Sequence, residues 1–272
     1  MEKIALPQKI EFVKGSKANN KQIIIEPCYP GYGTTIGNAL RRILLSSLPG
    51  AAVIGVKIKG ADHEFMTLPH VKEDVLELIL NLKRLRLKVF CDEAVKLELD
   101  ARGEKEVKAS DIKKNSLVEI ANPDLILGHV TDMAGSLSME ISVSQGAGYI
   151  TVESRESAKN EIGYIEMDSI FSPVMSVGVN IKNVRIGKMT NWDKLILDLT
   201  TDGTITPEDA FYKSVEILIN QLNALMEKSG EKKVEEIKTE STGIKETAEE
   251  KEKEEADEDK KSKKRGRPKK HE

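Results

Sequence analysis

Hydrophobic and polar positions change period several times along this chain. Gln8 to Val13 and Ile23 to Glu26 are rich in strand formers, and the polar stretch Lys14 to Lys21 reads as a turn between them. Gly31 and Gly33 then loosen the backbone, and Thr34 or Thr35 offers a helix cap. Ile36, Leu40, Ile43, Leu44 and Leu48 recur at helical spacing until Pro49-Gly50 stops the run. Asn38, Arg41, Arg42 and Leu45 form a second row, which predicts a helix covered on more than one side and carrying two arginines on its second face. Val53 to Lys59 reads as a strand. Val71, Val75, Leu78 and Leu82 predict a helix ending near Lys83, followed by a strand pair, Leu85 to Phe90 and Val95 to Asp100. Leu137, Met139, Ile141 and Val143 alternate with serines and Glu140, the pattern of a strand wet on one face, and Gly146-Ala147-Gly148 closes it.

The last periodic segment is the best specified. Thr206 is a good cap, Pro207 suits the first helical position, and Glu208 and Asp209 place negative charge at the positive end of the helix dipole. Phe211, Val215, Leu218, Leu222 and Leu225 follow at steps of four, three, four and three, with Ala210, Ile217 and Ala224 on a flanking row. That spacing is the seam of paired helices, although only about two heptads are present and an ordinary core helix has the same period. Helices do not alternate with strands, so the order fits a mixed α+β body with mostly antiparallel sheet rather than a doubly wound fold.

Composition divides the 272 residues unevenly. Residues 229–272 hold 14 basic and 14 acidic residues, so the net charge of −3 belongs to the body, and no aromatic residue lies beyond Tyr212. Such a tail cannot build a core and is expected to be disordered. No run approaches the ~20 apolar residues that span a bilayer, and Met1 to Gly15 lacks the order of a signal peptide, which predicts a soluble, cytoplasmic protein without membrane contact. Cys28 and Cys91, the only cysteines, stand far apart with no ligand partners at zinc spacing; two buried thiols are expected, with neither a disulfide nor a metal.

Gly31-Tyr32-Gly33-Thr34-Thr35-Ile36-Gly37 invites a nucleotide-binding reading, but Ile36 stands where the dinucleotide fingerprint needs its third glycine, and Asn38-Ala39 stand where a phosphate loop needs Lys and Ser or Thr. His63, His70 and His129 are scattered, His63-Glu64 has no second histidine four residues on, and no Gly-x-Ser-x-Gly occurs. The body therefore reads as non-catalytic and without a cofactor. A nucleotide-dependent oxidoreductase using the glycine loop and an independent DNA-binding architectural protein using the tail are the competing classes.

The run Gly31-Tyr32-Gly33-Thr34-Thr35-Ile36-Gly37-Asn38-Ala39-Leu40-Arg41-Arg42-Ile43-Leu44-Leu45-Ser46-Ser47 resembles the signature helix of the bacterial RNA polymerase alpha-subunit family. His63-Glu64-Phe65, Glu73-Asp74-Val75-Leu76-Glu77 through Asn81-Leu82-Lys83, Phe171-Ser172-Pro173-Val174, Asp193-Lys194-Leu195 and Asp202-Gly203-Thr204-Ile205 before Pro207-Glu208 match in order. The resemblance covers about residues 1 to 228. It implies a discontinuous dimerisation domain, residues 1–50 and 172–228, an inserted mixed, mostly antiparallel β domain, residues 51–171, and a tail, residues 229–272. It further implies a homodimer on which the beta and beta-prime subunits of DNA-directed RNA polymerase assemble, the nucleotidyl transfer belonging to those large subunits. Ile36, Leu40, Ile43 and Leu44, with Phe211, Val215, Leu218, Leu222 and Leu225, then meet a second copy. Arg42 falls on the arginine used for assembly with beta, Arg41 is its neighbour with a solvated or intrasubunit ion pair as the alternative, and Lys83 falls on a position associated with beta-prime. Guanidinium groups suit such work because they make directional, bidentate contacts.

The family usually continues into a compact C-terminal domain that binds promoter DNA. The 44 residues after Lys228 lack the aromatics and periodicity for it, so that domain is expected to be missing. In its place Glu246 to Asp259 carries nine acidic and two basic residues, and Lys260 to Lys270 eight basic and none acidic. Within the basic block Arg265-Gly266-Arg267-Pro268 resembles the core of an AT-hook, which lies extended in the minor groove; nonspecific phosphate attraction is the alternative. DNA contact through this tail, and nucleoid association through a polymerase, are the resulting expectations.

Overall fold

The computed structural model describes residues 4–15, 17, 19–155, 162–187 and 189–228. The chain divides into two units, Met1–Ile219 and Asn220–Glu272, and the second is described only through the end of its helix. The tail residues 229–272, and with them the expected disorder, lie outside the described residues.

Strands β1 (Lys9–Lys14) and β2 (Asn20–Cys28) form the first hairpin, as the strand formers on either side of the polar turn predict. Helix α1 (Tyr32–Ser46) follows, then strand β3 (Pro49–Ile58) and helix α2 (Val75–Leu82). Short strands come next: β4 (Leu87–Val89), β5 (Val95–Arg102), β6 (Lys105–Lys108), β7 (Val118–Ile120) and β8 (Ile126–Val130). The long β9 (Ser136–Ala147) precedes β10 (Tyr149–Ile150), β11 (Tyr164–Glu166) and β12 (Ser169–Ile170). A thirteen-residue pair, β13 (Val174–Ile186) and β14 (Met189–Thr201), leads into helix α3 (Pro207–Lys228). All of these strand pairings are antiparallel, in sheets ordered β1-β2-β14-β13 and β5-β9-β3-β4-β7, with β11 on β3 and the small pairs β10-β12 and β6-β8. The α+β class follows.

Two hydrophobic cores organise residues 4–219. Period-two strands supply most of the larger one: Leu97, Leu99, Leu137, Met139, Ile141 and Val143 close on Leu78 and Leu82 of α2. In the smaller one, Ile23, Ile25, Leu195, Leu197 and Leu199 line one face of the four-stranded sheet, covered by Leu40, Leu44 and Leu48 of the α1 segment and by Ala210 and Phe211 of α3. The chain passes between the cores at two places that touch. A Cβ on Gly50 would lie 1.9 Å from the Phe171 carbonyl oxygen and one on Gly146 2.9 Å from the Phe171 ring, so only glycine fits at either position.

Three local expectations need correction. Helix α2 begins at Val75, not Val71, because Val71 bridges to Val130 in extended form and Asp74 caps the helix by accepting from the Glu77 amide at 2.7 Å. The strands after it do not pair with each other: β4 lies between β3 and β7, while β5 runs along β9. Cys28 is buried but Cys91 is only half-buried, its thiol donating to the Glu93 carbonyl at 3.3 Å.

Candidate functional site

Helix α1 has no cap of its own. Gly31 occupies the capping position with φ 86°, where a side chain would be strained, and no threonine side chain caps the first-turn amides; the Thr35 hydroxyl donates to the Gly31 carbonyl at 3.4 Å. The buried carboxylate of Asp193 on β14 does so instead, accepting from the amides of Gly31 (2.9 Å) and Gly33 (3.1 Å) and placing a negative charge at the helix's positive end. A Cβ at Gly33 would come within 3.0 Å of Asp193, and one at Gly37 within 2.8 Å of Val179 and 2.9 Å of Leu195. The glycine run is therefore accounted for by a borrowed cap and by close packing of α1 on β13 and β14; its amides are committed to a carboxylate of the same chain. Burial, with the Asp193 charge, also pushes the neighbouring Cys28 thiol up.

With one face of α1 locked in this way, the other is left open. Asn38, Arg41, Arg42 and Leu45, the row expected to be covered, are all exposed. Among the described residues neither the Arg41 nor the Arg42 guanidinium has a hydrogen-bond or ion-pair partner, so both are solvent-exposed in the single chain. Lys83 is differently placed: half-buried at the end of α2, its ammonium lies 3.9 Å from Asp168. That carboxylate also accepts from the Val152 amide and the Tyr149 hydroxyl, each at 2.9 Å, and these two bonds hold it below the usual carboxylate range.

The residues expected to meet a second copy divide by burial. Leu40, Leu44 and Phe211 are buried in the chain's own core. The helical period marks an apolar face without saying whether the cover comes from the same chain. Ile36, Val215 and Leu218 are partly covered by the core, and Ile43 is half-buried. Leu222 and Leu225 are open, 52% and 67% exposed.

The three histidines among the described residues have ordinary partners: His63 Nδ1 accepts from the Phe65 amide at 3.2 Å, His70 lies 3.2 Å from Asp132, and His129 meets Glu73. Among the described residues no group of three or more His, Cys, Asp or Glu is placed to hold a metal, and no helix is long and apolar enough to cross a membrane. Arg265, Gly266, Arg267 and Pro268 lie outside the described residues. Residue-by-residue reading missed the tethers Asp193, Asp168 and Glu73; Asp193 and Glu73 each stood in a quoted segment, but nothing local assigned either a partner.

Comparison with known proteins is consistent across the described body. A family model described as the RNA polymerase Rpb3/RpoA insert domain matches residues 56–172. DNA-directed RNA polymerase subunit alpha of Carboxydothermus hydrogenoformans is 47% identical over 201 residues, 74% of this chain and 64% of that protein. The same subunit of Desulforamulus reducens is 49% identical over 215 residues, 79% of this chain and 68% of that protein. That of Macrococcus caseolyticus is 43% identical over 233 residues, 86% and 73%. The chain thus spans slightly less than two thirds of the first relative and slightly more of the other two.

Proposed function

The chain belongs to the family of bacterial DNA-directed RNA polymerase alpha subunits, and from that premise we propose that it is the non-catalytic, homodimeric scaffold on which the beta and beta-prime subunits assemble. The observation that carries the proposal is the open face of α1, where Arg41 and Arg42 stand exposed and unpaired among the described residues on a helix fixed from behind by Asp193. A rigid helix presenting two exposed guanidiniums is prepared to make directional contacts to carboxylates and carbonyls. Arg42 is assigned to beta and Lys83 to the beta-prime side. Leu222 and Leu225 at the end of α3, with Ile36, Ile43, Val215 and Leu218, supply the contact with the second copy.

Residues 1–50 with 172–228 act in this reading as the dimerisation domain and residues 51–171 as the insert, a division supported by the two separate cores and by the matched span 56–172. The test is affinity capture of the tagged chain after nuclease treatment, with the co-purifying proteins sized and assayed for template-directed RNA synthesis. Two very large partners with RNA synthesis, weakened by Arg42→Ala, are expected; recovery of a solitary monomer would refute the scaffold.

A second contact is favoured by the charge of the tail. The block Lys260 to Lys270 attracts DNA phosphates, and Arg265-Gly266-Arg267-Pro268 suits a narrow minor groove, where negative potential concentrates and glycine permits close approach. The acidic block Glu246 to Asp259 restrains this attraction at low occupancy, and the tether keeps the polymerase near the nucleoid. Deleting residues 260–272 should weaken promoter binding and flatten its salt dependence. Unchanged binding across salt concentrations would exclude the contact.

A further inference from the structure

Helix α2 is fastened to β8 at both ends, and the fastening at its start is an unusual one. Glu73, immediately before the capping residue Asp74, is only 6% exposed, yet it carries a carboxylate. That carboxylate accepts from the His129 amide at 2.7 Å and sits 2.5 Å from His129 Nδ1. The strand returns the contact, since the Lys72 amide donates to the His129 carbonyl at 3.0 Å, and the same ladder continues through the Val71 to Val130 bridge and the Thr131 amide on the His70 carbonyl at 2.9 Å. At the other end of α2 the Asn81 side-chain Nδ2 donates to the Leu127 carbonyl at 3.0 Å. Between them the helix lies so close to β8 that a Cβ on Gly128 would come 2.7 Å from Leu78 and 3.3 Å from Glu73.

Burying a carboxylate is unfavourable unless its lone pairs are matched, so this one does work that an apolar residue of the same volume would not. Close apolar packing of Val75, Leu78, Ile79 and Leu82 holds α2 against the core, and hydrogen bonds of fixed direction at both ends add a directional constraint on its rotation and register. We propose that Glu73 and His129 form a clasp that sets the register of α2 on β8, making Glu73 a positioning residue for the large-subunit contact assigned to Lys83, which leaves the last turn of the same helix. This inference rests on the scaffold reading above. Loss of the contact between Glu73 and the His129 ring loosens the N-terminal end of α2, while the His129 backbone amide on Glu73, the Lys72 and Val71 backbone pairing with β8, Asn81 and the leucines keep it attached; the fold persists and the presented surface loses definition.

The test uses the full chain with purified beta-prime, alongside hydrogen exchange of the α2 amides. His129 is about one-third exposed on its side chain, so His129→Ala is tolerated by the fold, and His129→Asn places an amide N–H where Nδ1 stood. His129→Ala should weaken beta-prime binding about tenfold and speed α2 exchange, at unchanged circular dichroism and homodimer mass, whereas His129→Asn should return both within about twofold of the native chain. Glu73→Gln, which keeps volume but loses charge, should fall between them. Equal binding and exchange for the native chain, His129→Ala and Glu73→Gln would overturn the clasp. If the native chain itself fails to bind beta-prime, the scaffold reading fails, while the exchange of α2 still decides whether the clasp exists.

Discussion

Helices α1 and α3 cover the same sheet face, but they begin in opposite ways. α3 carries its own start: Thr206 accepts from the Asp209 amide at 3.2 Å and donates to the Asp209 carboxylate at 2.7 Å, with Pro207 at the first helical position. α1 carries nothing of the kind and depends on Asp193, some 160 residues away, together with two glycines that let it sink onto the sheet. A self-capped helix is specified by its own sequence and only needs a surface to lie on. A helix capped from elsewhere cannot be placed without that partner, which gives the residues on its open face a fixed position relative to β14.

Gly37→Val should break this arrangement most severely. A side chain 2.8 Å from Val179 and 2.9 Å from Leu195 forces α1 off the sheet, at a cost of about 3 kcal/mol in urea unfolding. Asp193→Ala should cost about 2 kcal/mol, because two amides lose their acceptor and the helix loses its compensating charge. Thr206→Ala should cost about 1 kcal/mol, an ordinary cap loss. If Asp193→Ala proved no worse than Thr206→Ala, the contrast between borrowed and local caps would collapse.

A pH series sharpens the α3 side. Lys21 donates to Glu208 and holds its carboxyl below the usual carboxylate range. A depressed carboxylate contributes stability that is present above its unfolded pKa and lost as pH falls through the folded one. Lys21→Met should therefore reduce the loss of stability on acidification below the ordinary glutamate range, read from urea midpoints across pH 3 to pH 6. The smallest effect on folding belongs to the open face: Arg42→Ala should shift stability by no more than about 0.5 kcal/mol, since its guanidinium has no partner to lose among the described residues.

The same contrast explains what could be read in the sequence. The start of α3, its apolar period and the extent of α1 are local properties and were legible; the alternation of Leu137, Met139, Ile141 and Val143 likewise marked β9. Thr34 and Thr35 fit the local pattern of a cap, but the cap of α1 comes from Asp193, to which nothing near Gly31 points. Val71 fits a helical period yet belongs to a strand bridge, and β4 and β5 found partners in β3 and β9 rather than in each other, since strand partners distant in sequence leave no local mark. At the candidate interface the period of Leu40, Leu44 and Phe211 marks residues that the chain's own core buries, while Leu222 and Leu225 on the same period are exposed. Core and contact surfaces share one pattern, and only burial separates them.

The most direct measurement is reconstitution of template-directed RNA synthesis from purified beta and beta-prime with the native chain or with Arg42→Ala, at matched fold and homodimer mass. The scaffold account predicts that the native chain restores synthesis and co-sediments with both large subunits, and that Arg42→Ala loses beta before it loses beta-prime. Synthesis restored equally by the two chains would contradict the role given to the open face of α1, and no restoration by the native chain would contradict the scaffold itself.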